Sequence, residues 1–329
     1  MQRAGPSCGY NFPNLRQHRE CIRDLCAQRA RANPRARWQP RLLDAAAVLR
    51  YAFAMTTLPG RAPHLRPVLD SLVRQDPIPP ALISIALEPR LRGAPVNTSR
   101  VAQQCRRAAA LAGARLHVTL LTREWGAAAK MLAAFAASAA DRALDAVIVC
   151  DDDVLYRPWL AQQYLRVDVR AEGRKALAVL TTVKWYPVRS NACVRMVQGS
   201  DSFWVPAPLL RPNREADFKA MLVWVQARSK VAFRSDDYWN SVFLNAPCDG
   251  WEPTVRTLGG ERPYTSHPPS QRPEAGSQLH ARSLYEQWVV PEQLIDRHHP
   301  TLERIACRSR RNESARRSTS AVEPPSEHE

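Results

Sequence analysis

The sequence Val147-Ile148-Val149-Cys150-Asp151-Asp152-Asp153 decides the fold of this chain, because an apolar run ends abruptly in three carboxylates. A short run of Ile, Val and Ala is typical of a strand that is buried on both faces of a parallel sheet. The carboxylates then emerge at the C-terminal edge of that sheet, where open α/β sheets usually bind their ligands. The stretch therefore predicts an α/β fold with a site at this edge.

The three aspartates predict a site for a divalent cation, Mn²⁺ or Mg²⁺. Adjacent carboxylates repel one another and are costly to bury alone, whereas hard cations prefer clustered oxygen ligands. Residues i and i+2 of an extended chain point to the same side, so Asp151 and Asp153 are expected to hold the metal while Asp152 turns elsewhere. The alternative is a solvated acidic turn, which the preceding buried strand disfavours.

Strands and helices alternate on the N-terminal side of this stretch. Apolar segments predict strands at 51–57, 82–87 and 116–121, and helical periodicity predicts helices at 65–73, 101–112 and 127–140. Short right-handed crossovers place successive strands parallel, with helices on both faces. We therefore predict a Rossmann-like α/β fold with a mostly parallel central sheet. Further along, the pattern predicts a helix at 159–169, a strand at 176–183 and a helix that begins near Asp236.

The chain divides by composition into four parts. Residues 1–48 are predicted to be a weakly ordered basic head, and 49–250 the globular α/β domain. A Pro-rich extension with a short helix follows at 251–306, and 307–329 is predicted to be a disordered tail.

The net charge of +16 and the pI near 10.1 favour polyanionic partners such as nucleotide phosphates. Only five of the 47 basic residues are Lys, and the Arg residues are spread along the chain. They form no basic helix with interleaved aromatics over the central region, so no dedicated nucleic-acid surface is expected.

Cysteine spacing and hydropathy exclude two classes of protein. The eight Cys include no CxxC pair, which argues against a zinc ribbon and leaves the disulfide state open. No segment approaches the ~18–20 apolar residues of a transmembrane helix. The chain as written is expected to be soluble and cytoplasmic, or to act in the Golgi or secretory lumen if its N-terminus is incomplete.

Four segments in order resemble the glycosyltransferases with a GT-A fold, of the family-2-like kind in the nucleotide-diphospho-sugar transferase superfamily. The segments are 56–61, 126–130, Asp151 to Asp153 and Ser235 to Asp237, and the resemblance runs from about residue 53 to 245. It implies a hexosyltransferase-type enzyme with the Asp-x-Asp metal motif, which moves a sugar from a nucleotide diphosphate to an acceptor hydroxyl.

The first two segments resemble the donor-binding elements of this family. Thr56 and Thr57 end the first strand, and Arg61 follows; hydroxyls and a guanidinium there can bind a base, a ribose or a phosphate. In the second segment the resemblance implies that Lys130 approaches the donor diphosphate. Ala127 and Ala129 replace the family's Pro and Thr, so one hydroxyl contact is missing. The alternative is that both basic residues are simply solvated.

The last two segments carry the metal and the base in this resemblance. Asp151 and Asp153 hold Mn²⁺ or Mg²⁺, while Asp151 and Asp152 also face the donor. Asp237, or else Asp236, serves as the general base, which implies anomeric inversion because a single displacement suffices. The structural alternative is that Ser235 or Asp236 only caps a helix.

The acceptor side is less well defined by sequence. Residues 197–203 resemble the family's Gly-rich acceptor loop but lack its paired Gly. A later His can complete the metal site in some members; the candidates are His267, His280, His298 and His299, and none has a local pattern that selects it.

The leading hypothesis is therefore a metal-dependent glycosyltransferase that uses a nucleotide-sugar donor, expected to be a UDP-sugar, and a glycan, protein or lipid acceptor. One alternative is a degenerate nucleotide-sugar-binding or scaffold protein, suggested by Ala127, Ala129 and the absent paired Gly. Another is a two-metal nuclease or phosphoesterase, because Asp151, Asp153 and the pair at 236–237 could hold two ions.

Overall fold

The computed structural model describes the central part of the chain. The described residues are 50–91, 93–165, 176–179, 185–187, 193–195, 197, 202–246, 254–257 and the helical positions 291, 294–295, 297–298, 301–302 and 304–306. Four of the short strands, at 176–179, 185–187, 193–195 and 254–257, are described by their backbone alone. The predicted head, most of the Pro-rich extension and the predicted tail lie outside these residues.

The described elements alternate as the sequence predicts. The strands are β1 (Tyr51–Thr56), β2 (Leu82–Leu87), β3 (Arg90–Leu91), β4 (Ala94–Pro95), β5 (Leu116–Leu120), β6 (Ala146–Val149), β7 (Ala176–Val179), β8 (Trp185–Pro187), β9 (Cys193–Arg195), β10 (Phe203–Pro206) and β11 (Thr254–Thr257). The helices are α1 (Arg66–Val73), α2 (Thr98–Ala112), α3 (Ala129–Ala140), α4 (Leu160–Leu165), α5 (Pro212–Arg228) and α6 (Asp236–Asn245).

Seven strands form the central sheet in the order β11-β7-β10-β6-β1-β2-β5. Strands β6, β1, β2 and β5 run parallel, and β11 is parallel to β7. Strand β10 lies antiparallel between β6 and β7, which the hydrophobic pattern does not predict because it carries no strand direction. The predicted α/β class with a mostly parallel sheet is confirmed.

Helices cover both faces of the sheet because alternate residues of β1 point to opposite sides. Tyr51, Phe53 and Met55 pack with α1, α2 and α4, whereas Ala52 and Ala54 pack with α3, α5 and α6. The small residues of α3, eight of whose twelve positions are buried, let this helix pack closely on β1 and β2. Helix α3 is therefore held firmly, and it carries Lys130.

The core continues beyond residue 250. Strand β11 adds to the sheet at a place where the sequence pattern predicts no strand. Ile295, Leu302 and Ala306 are fully buried in the same cluster as α5 and α6. The guanidinium of Arg214 on α5 donates a hydrogen bond to the Ala306 carbonyl, which fastens these C-terminal helical residues to the core. Among the described residues no helix is both long and apolar enough to cross a membrane.

Candidate functional site

The strand order creates a crevice at the C-terminal edge of the sheet. The chain moves outward from β1 to β2 and β5, and then returns to the other side of β1 with β6. The C-terminal ends of β1 and β6 therefore flank a topological switch point, where α/β sheets bind ligands. Arg61 lies in the loop after β1, and the three aspartates follow β6 directly.

Arg61 pairs with two of the three aspartates. One guanidinium nitrogen lies 2.6 Å from an Asp152 oxygen and the other lies 2.9 Å from an Asp153 oxygen. The Arg61 side chain is 34% exposed and that of Asp153 is 21% exposed, whereas Asp152 is buried. Two ion pairs, both partly exposed to solvent, thus join the loops after β1 and β6.

Lys130 pairs with the remaining aspartate and with a fourth one from a distant part of the chain. Its ammonium lies 2.5 Å from an Asp151 oxygen and 2.6 Å from an oxygen of Asp236, the first residue of α6. The Lys130 side chain is only 6% exposed. Lys130 therefore joins the sheet edge to the start of α6 in a nearly water-free environment.

Burial and charge oppose each other in the pKa values of this site. Burial acts to lower the pKa of Lys130, but Asp151, Asp236 and Asp237 outweigh it and hold the pKa well above its usual value. Burial raises the pKa of Asp152, although Arg61 and the Thr57 hydroxyl act in the other direction. Lys130 therefore stays charged, and Asp152 is the carboxyl of the triplet whose ionised form burial disfavours.

The predicted alternation of the aspartates along an extended chain is wrong. The backbone bends immediately after Asp151, and the Tyr156 hydroxyl accepts a hydrogen bond from the Asp151 N–H at 2.9 Å. Asp152 and Asp153 consequently share Arg61, while Asp151 turns to Lys130. The two proposed metal ligands are nevertheless the two partly exposed carboxylates of the triplet, with Asp151 27% exposed.

Lys130 lies at the second position of α3, which is an unusual place for a cation. The N-terminus of a helix carries positive partial charge and favours anions. A three-residue 3₁₀ turn (Gly126–Ala128) leads into α3, and Gly126 has a φ of +65°, a left-handed conformation that favours glycine. The preference for anions at a helix N-terminus is thus broken at Lys130, because Asp151 and Asp236 require a cation there. Such a departure is typical of a functional site.

Glu88 also lies at the edge of the site, and its role was not predicted from the sequence. It follows β2 directly, and its carboxylate accepts hydrogen bonds from the backbone N–H groups of Trp125 and Gly126. Burial raises its pKa to about 7, the two N–H groups act to lower it, and Glu124 adds to the rise. An acidic residue immediately after a largely apolar strand was the available signal, similar to the one that identified Asp151.

Helix α6 begins with two carboxylates in its first turn. Ser235 occupies the N-cap position, but its side chain makes no capping hydrogen bond. Asp236 contacts Lys130, and Asp237 is close enough to raise the pKa of Lys130. Both predicted base candidates are therefore brought to the site, and the predicted helix start at Asp236 is confirmed.

The two threonines at the end of β1 are placed differently. The Thr56 hydroxyl donates to the Ala86 carbonyl of β2 at 2.9 Å, so its proton is already used within the sheet. Thr57 is buried beside Asp152, whose pKa its hydroxyl helps to lower. Of the predicted donor-binding residues, Thr57 is therefore joined to the acidic cluster and Thr56 to the neighbouring strand.

Much of the predicted acceptor side lies outside the described residues. Only Val197, Ser202 and Phe203 of the loop at 197–203 are described. Of the later His residues, His298 is described, and its ring packs edge-on against Trp224 of α5.

The acidic cluster fits a divalent cation that takes part of its ligands from a diphosphate. In the part of the chain that the structure describes, no three acidic, His or Cys side chains converge as a ready-made ligand set. Asp151 and Asp153 are nevertheless partly exposed, and they lie at the same edge as the cations Lys130 and Arg61. Mg²⁺ is commonly bound by one or two carboxylates plus substrate phosphates, which Asp151 and Asp153 match.

Comparison with solved structures found sugar-transferring proteins. A mannosyltransferase from Pyrobaculum calidifontis, in complex with GDP-Man and Mn²⁺, is 14% identical over 93% of this chain and 85% of its own, with a TM-score of 0.44. Glucosyl-3-phosphoglycerate synthase from Mycobacterium tuberculosis, in complex with phosphoglyceric acid, is 13% identical over 75% and 80%, with a TM-score of 0.39. Because these identities and TM-scores are low, the similarities assign neither family nor activity to this chain. No protein-family model and no curated protein sequence matches it.

Proposed function

We propose that this protein is a metal-dependent glycosyltransferase that moves a sugar from a nucleotide diphosphate to an acceptor hydroxyl. The observation that carries the proposal is the arrangement at the switch point, where Arg61 and Lys130 lie among five aspartates. Basic groups that face a diphosphate and exposed carboxylates that face a cation are the two things that a nucleotide-sugar requires of its site. Proximity of the α6 carboxylates adds a base for the acceptor.

Donor binding is assigned to side chains that still have hydrogen bonds to give. An ammonium has three N–H donors; Lys130 donates one to Asp151 and lies in an ion pair with Asp236, so a further N–H can serve a phosphate oxygen. Arg61 is half-buried and can shift from Asp153 to the diphosphate. Asp151 and Asp153 would hold the divalent cation, whose charge makes the nucleoside diphosphate a better leaving group.

The catalytic base is assigned to Asp237 rather than to Asp236. The Asp236 carboxylate is engaged by the Lys130 ammonium, which lies 2.6 Å away. Asp237 follows it in the first turn of α6, at the same edge of the site. Asp237 then accepts the proton of the acceptor hydroxyl as that oxygen attacks the sugar, which implies inversion. We expect Asp237→Asn to lower turnover more than Asp236→Asn does.

A donor screen tests the proposal. The purified full-length protein is incubated with UDP-glucose, GDP-mannose and related nucleotide-sugars, with Mn²⁺, Mg²⁺ or EDTA, and release of the nucleoside diphosphate is measured. We expect release with at least one donor, dependent on the metal and lost in Asp153→Ala. Donor binding without release would favour the degenerate binding protein, and metal-dependent cleavage of DNA would favour the nuclease. Either outcome would overturn the proposal.

A further inference from the structure

Glu88 stands out at the site edge because its carboxylate binds backbone rather than a cation. Its recorded partners are the N–H groups of Trp125 and Gly126, and the charged group that most affects it is another carboxylate, Glu124. Two cations of the described neighbouring segments have other partners: Arg90 donates to the Gly93 carbonyl, and Arg123 lies over the Trp125 ring. A carboxylate held in this way requires an explanation other than charge pairing.

The two N–H groups that Glu88 binds lie at the entrance to α3. They belong to the residues immediately before and at the start of the 3₁₀ turn that leads into α3, and Lys130 is the second residue of that helix. Glu88 itself follows β2, all six residues of which are buried, so its backbone is fixed by the sheet. The N–H groups of Trp125 and Gly126 donate to the Glu88 carboxylate. These hydrogen bonds hold both residues, and therefore the first turn of α3, at a set distance from the sheet edge.

We propose that Glu88 is a positioning residue of this site, whose carboxylate holds the start of α3 so that the Lys130 ammonium meets the donor diphosphate. This inference rests on the proposed function for its substrate, but its mechanical part concerns the chain alone. In this role Glu88 acts on the donor indirectly. It acts through two backbone N–H groups. The side chain that it positions is that of Lys130, which is buried and cannot reach its partners through solvent.

The raised pKa of Glu88 gives this role a signature in pH. An ionised carboxylate accepts hydrogen bonds more strongly than a protonated one. Because the pKa lies at about 7, the hold on Trp125 and Gly126 weakens as pH falls through neutrality. Donor affinity should therefore fall on the acidic side of pH 7 in the natural protein. Glu88→Gln, which is neutral at every pH, should match the natural protein at pH 5.5 and fall below it at pH 8.

Binding measurements with and without Lys130 test the positioning role. UDP-glucose and GDP-mannose with Mn²⁺ are the probes, and their Kd is measured by calorimetry from pH 5.5 to 8.5. At pH 8 we expect Glu88→Gln to weaken binding about tenfold, which is roughly one charge-assisted hydrogen bond. In a Lys130→Met background the same substitution should change the Kd less than about twofold, since coupled residues are not additive. An equal loss in both backgrounds would overturn the inference.

A matched control uses the neighbouring carboxylate. Burial is the main cause of the raised pKa of Glu88, and Glu124 adds to it; Glu124→Gln should therefore move the midpoint of the pH dependence to lower pH without abolishing it. Hydrogen exchange of the ligand-free protein completes the test: the amides of Trp125 and Gly126, which can open locally when their acceptor is weakened, should exchange faster in Glu88→Gln than in the natural protein at pH 8. Unchanged exchange there would overturn the positioning role even if donors bind. Faster exchange without binding of any donor would uphold it and count instead against the proposed function.

Discussion

Arg61 and Lys130 neutralise carboxylates at the same edge of the sheet, but in different surroundings. Arg61 is 34% exposed and pairs with Asp152 and Asp153. The loops that carry these residues are neighbours, because they follow the paired strands β1 and β6. Lys130 is 6% exposed and holds Asp151 and Asp236, which are 85 residues apart in the chain. The first pair of contacts lies near solvent, and the second is enclosed by protein.

This difference separates function from stability at the two sides of the site. A partly exposed ion pair contributes little to folding and can exchange partners when a ligand arrives. A buried cation between two carboxylates cannot be removed without leaving charge uncompensated in a low-dielectric environment. We therefore expect that Arg61 can be replaced with little loss of folding stability and can change partners when a ligand binds. Lys130 is expected to contribute both to folding stability and to ligand binding.

The largest effect is expected from Lys130→Met, which keeps the side-chain length and removes the charge. Asp151 and Asp236 would then face each other without their cation, and we expect a loss of about 3–5 kcal/mol in the free energy of unfolding. Urea denaturation measures it. Lys219→Met is the control, because Lys219 pairs with Glu215 on the surface of α5 and should cost less than about 0.5 kcal/mol. Equal costs in the two variants would break the comparison.

Asp153→Ala should separate activity from stability on the Arg61 side. We expect turnover of the nucleotide-sugar to fall by about 10³-fold, because a group that stabilises charge in the transition state is lost. The unfolding midpoint should change little, since Asp153 is partly exposed and its partner Arg61 keeps Asp152. Asp70→Ala on the surface of α1 is the control and should leave turnover unchanged. Turnover that survives Asp153→Ala would remove this carboxylate from the metal site.

Much of the Arg61 side could be predicted from the sequence. The apolar runs that end at Thr56 and Val149 mark parallel strands, and the C-terminal ends of parallel strands meet at one edge. That rule brings Arg61 and the three aspartates together without knowledge of their contacts. The rule does not give the bend after Asp151, because a chain direction outside regular structure depends on local contacts such as the hydrogen bond to Tyr156.

The Lys130 side could be predicted only in part. A resemblance placed Lys130 at the donor diphosphate, but its contact with Asp236 depends on how α6 packs over α3, through Phe243 against Phe135, and no local pattern encodes this. Glu88 was missed because a single carboxylate after a strand forms no motif. The antiparallel direction of β10 was not predicted, because alternation and hydrophobicity are the same in both strand directions.

Titration of Glu88 should sharpen the comparison, because Glu88 supports the Lys130 side alone. Burial raises its pKa from the ordinary 4.5 to about 7, so the stability that its protonated form contributes is complete below pH 4.5 and is lost as pH rises through 7. Relative to Glu88→Gln, the natural protein should lose about 1–3 kcal/mol of unfolding free energy between pH 4.5 and 8.

Urea denaturation of both proteins at the two pH values measures this difference. The variant should thus be the more stable protein at pH 8 while it binds donor less well, as expected where a site trades stability for function. If Glu88→Gln is instead the less stable protein at pH 8, the carboxylate serves folding and the contrast between the two sides loses one of its supports.

The smallest effect on folding is expected from Arg61→Met. Partly exposed ion pairs contribute about 0–1 kcal/mol, so its unfolding free energy should change by no more than that. Donor affinity should nevertheless fall about tenfold, because a guanidinium that can bind two phosphate oxygens is lost. Salt separates the two sides most directly: 0.5 M NaCl should weaken the contribution of Arg61 to binding, since screening acts on exposed charges, and should leave the stability difference of Lys130→Met largely unchanged. A Lys130 contribution that salt reduces as strongly as that of Arg61 would place its ammonium in contact with solvent and remove the distinction from which these expectations follow.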